Sequence, residues 1–368
     1  MRVLGLKLLG KLDRYVLRLF LSSYATAFFL VVGLMLVLDL ASNLDDYLDV
    51  PEGQREVTGV EILRFYGLQI PFLFLGVSPF VTLIAGLFSG ARMSRTREIV
   101  AVLDAGVSVR RAYGMILVCG VLASLAMFSL REWVGEELAF RRNLAHDRVA
   151  EHREFPIWER LWVRDDQGRS WQVGQFEPGR EDAPARIDKV RAWLSGANGL
   201  IEVRAEGGVW DAAGWSFQSA HRTNSSGREQ VRTELERLPE FTVTPEDVLL
   251  AVQERENPLD LSFAQAGKLF ERHPGSRPLA TVRQYHLTFP VAGVALLLIG
   301  LSFVALPRRG GGLERVGLGF LLCMGYFAFD FVCRSLGMQG QIGPLYAAWG
   351  PLIVFGSLGV VLFGGVRT

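Results

Sequence analysis

The sequence predicts an α-helical membrane protein with six transmembrane helices and an extracytoplasmic all-β domain, an open jelly roll, inserted between helices 3 and 4. Three observations predict it. Charge is absent from several long runs, although the 368-residue chain carries 39 Lys and Arg and 38 Asp and Glu. The short loops between those runs are alternately basic and acidic. One insert of roughly 150 residues is a domain's worth of chain and carries strand-like alternation. Half of the residues are apolar, which soluble domains also reach, so the distribution decides the class and the total does not. The net charge of +1 points to no class of partner, nucleic acid included.

The N-terminus, "MRVLGLKLLGKLDRY", reads as an amphipathic lead-in to a retained first helix, because the apolar run after it is long and lacks a small-residue cleavage site. Uncharged runs lie between Arg18 and Asp39, Arg64 and Arg92, Arg111 and Arg131, and His286 and Arg308. Each is close to or above the roughly 20 residues that cross a bilayer as a helix. Val316 to Val366 contains only Asp330 and Arg334, and suits two spans about the turn "GMQGQIGP" at 337–344. The expected division is 1–133 for helices 1–3, 134–280 for the insert and 281–368 for helices 4–6. Arg2, Lys7, Lys11 and Arg14, then Arg92, Arg95, Arg97, Arg110 and Arg111, then Arg308, Arg309 and Arg315, and finally Arg367, fall on one side, whereas residues 39–61 are mostly acidic. By the positive-inside rule both termini are cytoplasmic and the insert faces outward.

The insert opens with a charged helical extension, "REWVGEELAFRRNLAHDRVAEHR". "LWVRDDQGRSWQVGQF", "VRAWLSGANGLIEVRA" and "GGVWDAAGWSFQSA" then read as short strands about polar turns, Asn198-Gly199 being a strong hairpin signal. Trp171, Val173, Phe176, Ile201 and Val203 occupy mostly alternate positions compatible with one shared face, either a groove for acyl chains or an ordinary sandwich core. "TPEDVLLAVQERENPLDLSFAQAGKLFERH" returns as helix, with Pro245 at the first helical position after the N-cap Thr244.

Between spans two and three, residues 94–105 suit a short helix, with Ser94 or Thr96 as N-cap and Gly106 as the left-handed stop. Glu98 falls in its first turns, where the helix dipole favours a carboxylate, and Arg97 stands beside it. Ile99, Val102 and Leu103 form an apolar stripe. The segment is either a coupling element or an interfacial helix with solvated charges. Asp39 falls near the outer end of span one. Asp330 and Arg334, spaced i, i+4, fall in the outer half of span five, where they form either a packing pair or a polar lining at headgroup height. Span two carries Pro71 and Pro79 with Gly67, Gly76, Gly86 and Gly90, which suits gating and close packing equally.

Several chemistries lack their residues. "FAQAGKLF" has neither the first glycine nor the Ser/Thr of a phosphate loop, so the chain is expected to bind no ATP itself. No HExxH or GxSxG occurs, and His146 and His152 suit a solvated helix face rather than a metal site. Cys119, Cys323 and Cys333 all lie in apolar spans and imply no disulfide framework. The chain is expected to be a non-catalytic subunit with no cofactor or metal of its own.

The set "LDRYVLRLFL", "SRTREIVAVLDAGVSVRRAY", "LREWVGEE", "LWVRDDQGRSWQVGQF", "TPEDVLL", "LTFPVAGVALLLIGLSFVALPRRGG" and "GYFAFDFVCRSLG" resembles, in order and over nearly the whole chain, the LptF/LptG permeases of the lipopolysaccharide export ABC transporter. "LDRY", "EWV" and the setting of Asp330 are more similar to the LptG branch. The resemblance implies a pair with a sister permease, LptF or a paralogue, in the cell inner membrane. It implies a cytoplasmic LptB-type ATPase dimer that uses ATP and Mg and is contacted by the glutamate matching Glu98. It also implies lateral entry of lipopolysaccharide between span one of one subunit and span five of the other, and delivery to periplasmic jelly-roll proteins of the LptC/LptA type. Where such proteins can carry a basic residue for lipid phosphates, this sequence has Asp39, so a Mg²⁺ bridge or capture by the partner subunit takes its place. Two other readings stand beside this one: an ABC permease for another lipid or lipoprotein, and a membrane-anchored assembly scaffold or sensor.

Overall fold

The computed structural model describes residues 10–48, 57–150, 152, 156–180, 183–196, 199–226, 229–235, 237–305 and 312–366. The lead-in at 1–9, the middle of the acidic loop at 49–56, Asn198, the arginines 308, 309 and 367, and the side chain of Arg315 lie outside them. Among the described residues six helices are long and apolar enough to cross a membrane. They are α1 (Lys11–Leu48), α2 (Gly59–Arg95), α4 (Val109–Trp133), α8 (Arg277–Ala305), α9 (Gly312–Met338) and α10 (Pro344–Gly364). The short α3 (Glu98–Asp104) separates α2 from α4. A π-helical turn (Val134–Leu138) and α5 (Ala139–Ala150) continue α4, six strands follow, and α6 (Pro245–Glu256) and α7 (Phe263–Arg272) lead back to α8.

The chain forms two compact units. One comprises residues 1–43, 69–134 and 280–368; the other comprises 44–68 and 135–279. The insert's boundaries thus fall within a residue of 134 and 280, but residues 44–68 group with it. Length explains this: α1 has 38 residues, or about 57 Å, against a hydrocarbon layer of about 30 Å.

Within the membrane unit α8 is the central helix, with 72% of its most apolar window buried against 17% for α1. Leu297 of α8 is the wedge. A Cβ at Gly86 of α2 would lie 1.9 Å from Leu297 Cδ1, and one at Gly120 of α4 would lie 2.5 Å from Leu297 Cδ2. Gly90 packs against Leu301 and Val304, whereas Gly67 and Gly76 face open space. Gly86 and Gly90 are therefore close-packing positions, the kind that lets helices approach where no hydrophobic effect drives them together. Cys119 and Cys323 are buried apolar side chains.

In the other unit the strands are β1 (Trp158–Arg164), β2 (Ser170–Glu177), β3 (Arg186–Gly196), β4 (Gly199–Asp211), β5 (Gly214–Ser226) and β6 (Glu229–Leu235). They pair antiparallel in chain order, leaving β1 and β6 as the two edges. One face is apolar and is covered by Leu238, Phe241, Val243 and two residues of α6, Val248 and Val252. The alternation breaks once on every strand from β1 to β5. Buried positions step by three at Trp158–Leu161, Val173–Phe176, Ile187–Val190 and Phe217–Ala220, and at Ala205–Gly208. Register brings these steps opposite one another, through Leu161↔Val173, Val173↔Val190, Val190↔Ala205 and Ala205↔Ala220. The steps therefore form one line across five strands. Arg160, Lys189 and Gly207, within those steps, have φ of 52°, 54° and 63°. Each turns its strand over by one residue, as a bulge does.

The joints carry their own signals. Asp165 in the β1–β2 turn accepts from Gln167 N, Arg169 N and Trp171 Nε1 at 3.0, 2.8 and 3.0 Å, and from Arg169 Nε at 2.6 Å. Thr244 caps α6 with a reciprocal box: Asp247 N donates to Thr244 Oγ1, and Thr244 N donates to Asp247 Oδ2. Pro245 follows at the first helical position, as the sequence predicts.

Candidate functional site

Two polar sites in the membrane unit, and the apolar face of the sheet, carry the sequence's functional signals. On α9, Asp330 is 3% exposed. Tyr285 of α8 interacts electrostatically with both Asp330 and Arg334. The Arg334 guanidinium also stands 4.7 Å from the Tyr285 ring centroid. Asp330 and Arg334 thus meet through a tyrosine as well as by their i, i+4 spacing. From the end of α4, Arg131 lies 5.8 Å from the Tyr285 ring and 5.2 Å from that of Phe289, and its Nη1 is 3.3 Å from His286 Nδ1. Two guanidinium groups and one carboxylate thus gather around one aromatic ring near the Met338 end of α9. Sequence reasoning misses Arg131, Tyr285 and His286 as site residues, because each closes a span and looks like interface decoration. Asp39 is half-buried on α1, and its carbonyl accepts from Asn43 Nδ2 at 2.8 Å.

At the opposite end of α4, α3 begins at Glu98 and not at residue 94. Ser94 and Thr96 do not cap it. Ser94 lies within α2, and the Thr96 hydroxyl donates back to Arg92 O at 2.8 Å. The N-cap is Arg97, in the left-handed region with φ 58°, which reverses the chain sharply after α2. Gly106, with φ 75°, ends the helix as its sequence position predicts: Gly106 N donates to Leu103 O, and Val107 N to Val102 O.

The apolar stripe divides. Ile99 and Val102 pack onto the bundle core, whereas Leu103 turns outward with Val100, at 42% and 53% exposure. At roughly 100° per residue, Leu103 lies on the Val100 side of Ile99 and away from Val102. A narrow contact centred between Ile99 and Val102 therefore leaves Leu103 outside it. Glu98 Oε1 accepts from Tyr15 Oη of α1 at 2.9 Å, while Oε2 is buried with no hydrogen-bond partner. The floor beneath is cross-tied. Arg111 pairs with Asp13 at 3.2 Å, and Arg110 donates to Val366 O at 3.1 Å and to Gly364 O.

Trp171, Val173, Phe176, Ile201 and Val203 all face the apolar side of the sheet and belong to its buried core. Trp171 packs edge-on to Phe241 at 4.8 Å between centroids, and Phe176 stacks on Trp158 at 6.1 Å. His146 lies against Phe65, and His152 Nε2 lies 3.3 Å from Asp46 O.

No curated protein matches the sequence. The family model for the lipopolysaccharide export system permease LptF/LptG matches residues 14–364, and so takes in the six spans, α3 and the β insert together. That model spans both branches without dividing them. The chain belongs to the LptF/LptG family of lipopolysaccharide export system permeases.

Proposed function

We propose that this chain is a non-catalytic transport subunit that moves lipopolysaccharide out of the outer leaflet of the inner membrane, driven by a separate cytoplasmic ATPase dimer that uses ATP and Mg. The family match over 14–364 carries this reading. The residues then take these parts. Val100 and Leu103, presented outward by α3, and Glu98 beside them dock the ATPase. Asp39 on α1 and the Asp330–Tyr285–Arg334 group on α9 and α8 line the lateral gate shared with a sister permease. Arg334 and Arg131 supply positive charge for the lipid phosphates where Asp39 cannot. The apolar face of the sheet, with Trp171, Val173, Phe176, Ile201 and Val203, receives acyl chains in the periplasm and passes them toward jelly-roll partners at a free sheet edge. Each buried CH₂ is worth about 0.8 kcal/mol, so extraction needs both an external energy source and an apolar receiver.

The test is co-expression with candidate ATPase and sister-permease chains, reconstitution with lipopolysaccharide, and photo-crosslinkers at Val173 and Val203. Capture of lipopolysaccharide that requires ATP hydrolysis supports the reading. Equal capture without ATP, or co-purification of a different lipid alone, refutes it.

A further inference from the structure

A cavity lies in the β-bearing unit at the margin of the sheet's apolar core, to which its lining residues Trp158 and Val252 belong and against which Phe140 and Leu249 pack. It is a cleft of about 550 Å³ between the π-helical turn with α5, the helix α6 and the helix α7. That volume is in the range of small-molecule sites. Its apolar walls are Phe140, Trp158, Leu249, Leu250 and Val252. On α6 the positions facing it, Glu246, Leu249, Leu250 and Gln253, follow the i, i+3, i+4, i+7 stripe. Such a stripe in a well-packed protein lies against another helix; here it borders open volume.

Gln253 is the informative residue. It is only 8% exposed, it lines the cleft, and its side-chain Nε2 has no hydrogen-bond partner. A buried amide donor without an acceptor is costly, and native proteins retain few of them. The group that would satisfy it is an acceptor oxygen delivered into the cleft. The polar positions of the lining are of mixed sign, with Glu136 and Glu246 on one hand and Lys268 on the other, all exposed. The wall is also unusual. The π-helical turn is a rare element often found at functional positions. Gly135 within it approaches the backbone so closely that a Cβ would lie 2.7 Å from Ser262 N. Glu136 follows the membrane helix α4 by only three residues, so the cleft is lined by chain that has just left a span.

We propose that this cleft binds a single-chain acyl amphiphile, whose carbonyl or carboxyl oxygen accepts the hydrogen bond offered by Gln253 Nε2 while its chain lies along Phe140, Trp158 and Leu249. The shared chemistry is an acyl oxygen on one apolar chain. A free fatty acid and a lysophospholipid both provide it, and the mixed charges around the cleft are matched by a zwitterionic head.

The full chain in phosphatidylcholine nanodiscs, free of detergent, is exposed to diazirine-bearing palmitic acid or diazirine-bearing lysophosphatidylethanolamine. After irradiation, labelled peptides are mapped by mass spectrometry. Labelling within 135–143, 246–253 or 264–268 by either probe supports the site, and the more efficient probe identifies the source. Leu250→Trp fills the cleft and abolishes that labelling. Gln253→Leu lowers it about fivefold, the factor a single ordinary hydrogen bond contributes. Gln253→Leu also raises the thermal midpoint of the unliganded chain, because an unpaired buried donor has been removed. A fall in the midpoint would show that the amide is satisfied internally and would overturn the proposal. So would labelling confined to the membrane spans, or cleft labelling unchanged by Leu250→Trp. Should Leu250→Trp not fold, Ala264→Trp at an exposed position of the cleft replaces it.

Discussion

Single side chains here are governed by whether a buried polar group has found its partner. Glu254 on α6 shows the cost of an incomplete answer. Burial raises its carboxyl above the ordinary 4.5, and Arg164 pulls the other way without cancelling the effect. A raised carboxyl contributes stability only while protonated, fully below about pH 4.5, and that contribution is lost as pH rises through the folded value. Glu254→Gln should therefore raise the thermal midpoint in nanodiscs at pH 7, with the gain vanishing near pH 4; an unchanged difference across that range would refute it. His273 moves oppositely: burial first, then Arg164, lowers its pKa, so acid below the ordinary 6.5 weakens the fold through it. In the membrane unit Tyr285 interacts electrostatically with both Arg334 and Asp330. Asp330→Asn and Arg334→Gln should each destabilise, and the double change should cost less than the sum by roughly 0.5–3 kcal/mol. Tyr285→Phe keeps the ring under Arg334 and should cost less than Tyr285→Leu. Thermal melts of the five variants check this, and strict additivity would separate the two charges.

Elements follow from local signals wherever those signals are complete. The reciprocal box at Thr244 and the left-handed Gly106 set their helix ends as the sequence indicates. At α3 the polar candidates Ser94 and Thr96 lose to a simpler solution: α2 continues to Arg95, and a left-handed Arg97 makes the reversal. That geometry brings Glu98 to Tyr15, a contact 83 residues apart in sequence. It also permits a clean separation of anchoring from docking. Tyr15→Phe removes the internal bond and leaves the carboxylate, and should retain most coupling of ATP hydrolysis to export. Glu98→Lys removes both and should lower coupling by a few kcal/mol, about 100-fold, if the carboxylate is desolvated at a subunit interface. Equal losses in the two variants would make Glu98 a packing residue only. Hydrolysis and export assays on the reconstituted complex measure both.

The whole membrane unit turns on one side chain. Leu297 fills the space that Gly86 and Gly120 leave, joining α2, α4 and α8. Gly120→Leu should prevent the three helices from packing and abolish recovery of folded chain, whereas Gly114→Ala on the same helix, with nothing within 4 Å, should be neutral within about 0.5 kcal/mol; size-exclusion yield and thermal melts compare them. The same division runs through the molecule. Charge-free runs, strand alternation, Thr244-Pro245 and Gly106 were legible in the sequence, because hydrophobic length and capping depend on residues within a few positions of one another. So were Asp330 and Arg334 as neighbours on one helix face. The sequence could not supply Tyr285 between them, Tyr15 on Glu98, or Leu297 between two glycines, since each is a meeting of residues far apart in the chain. The sequence showed apolar residues at mostly alternate positions, and the three-residue steps from Trp158–Leu161 to Phe217–Ala220 emerged with the burial of the folded strands. Only the strand register aligned them into one line, and only the packing of α6 and α7 left Gln253 buried beside a cleft without a partner. Local patterns determine which elements form; the pairing of distant surfaces, which fixes every buried polar contact, is decided by the tertiary structure alone.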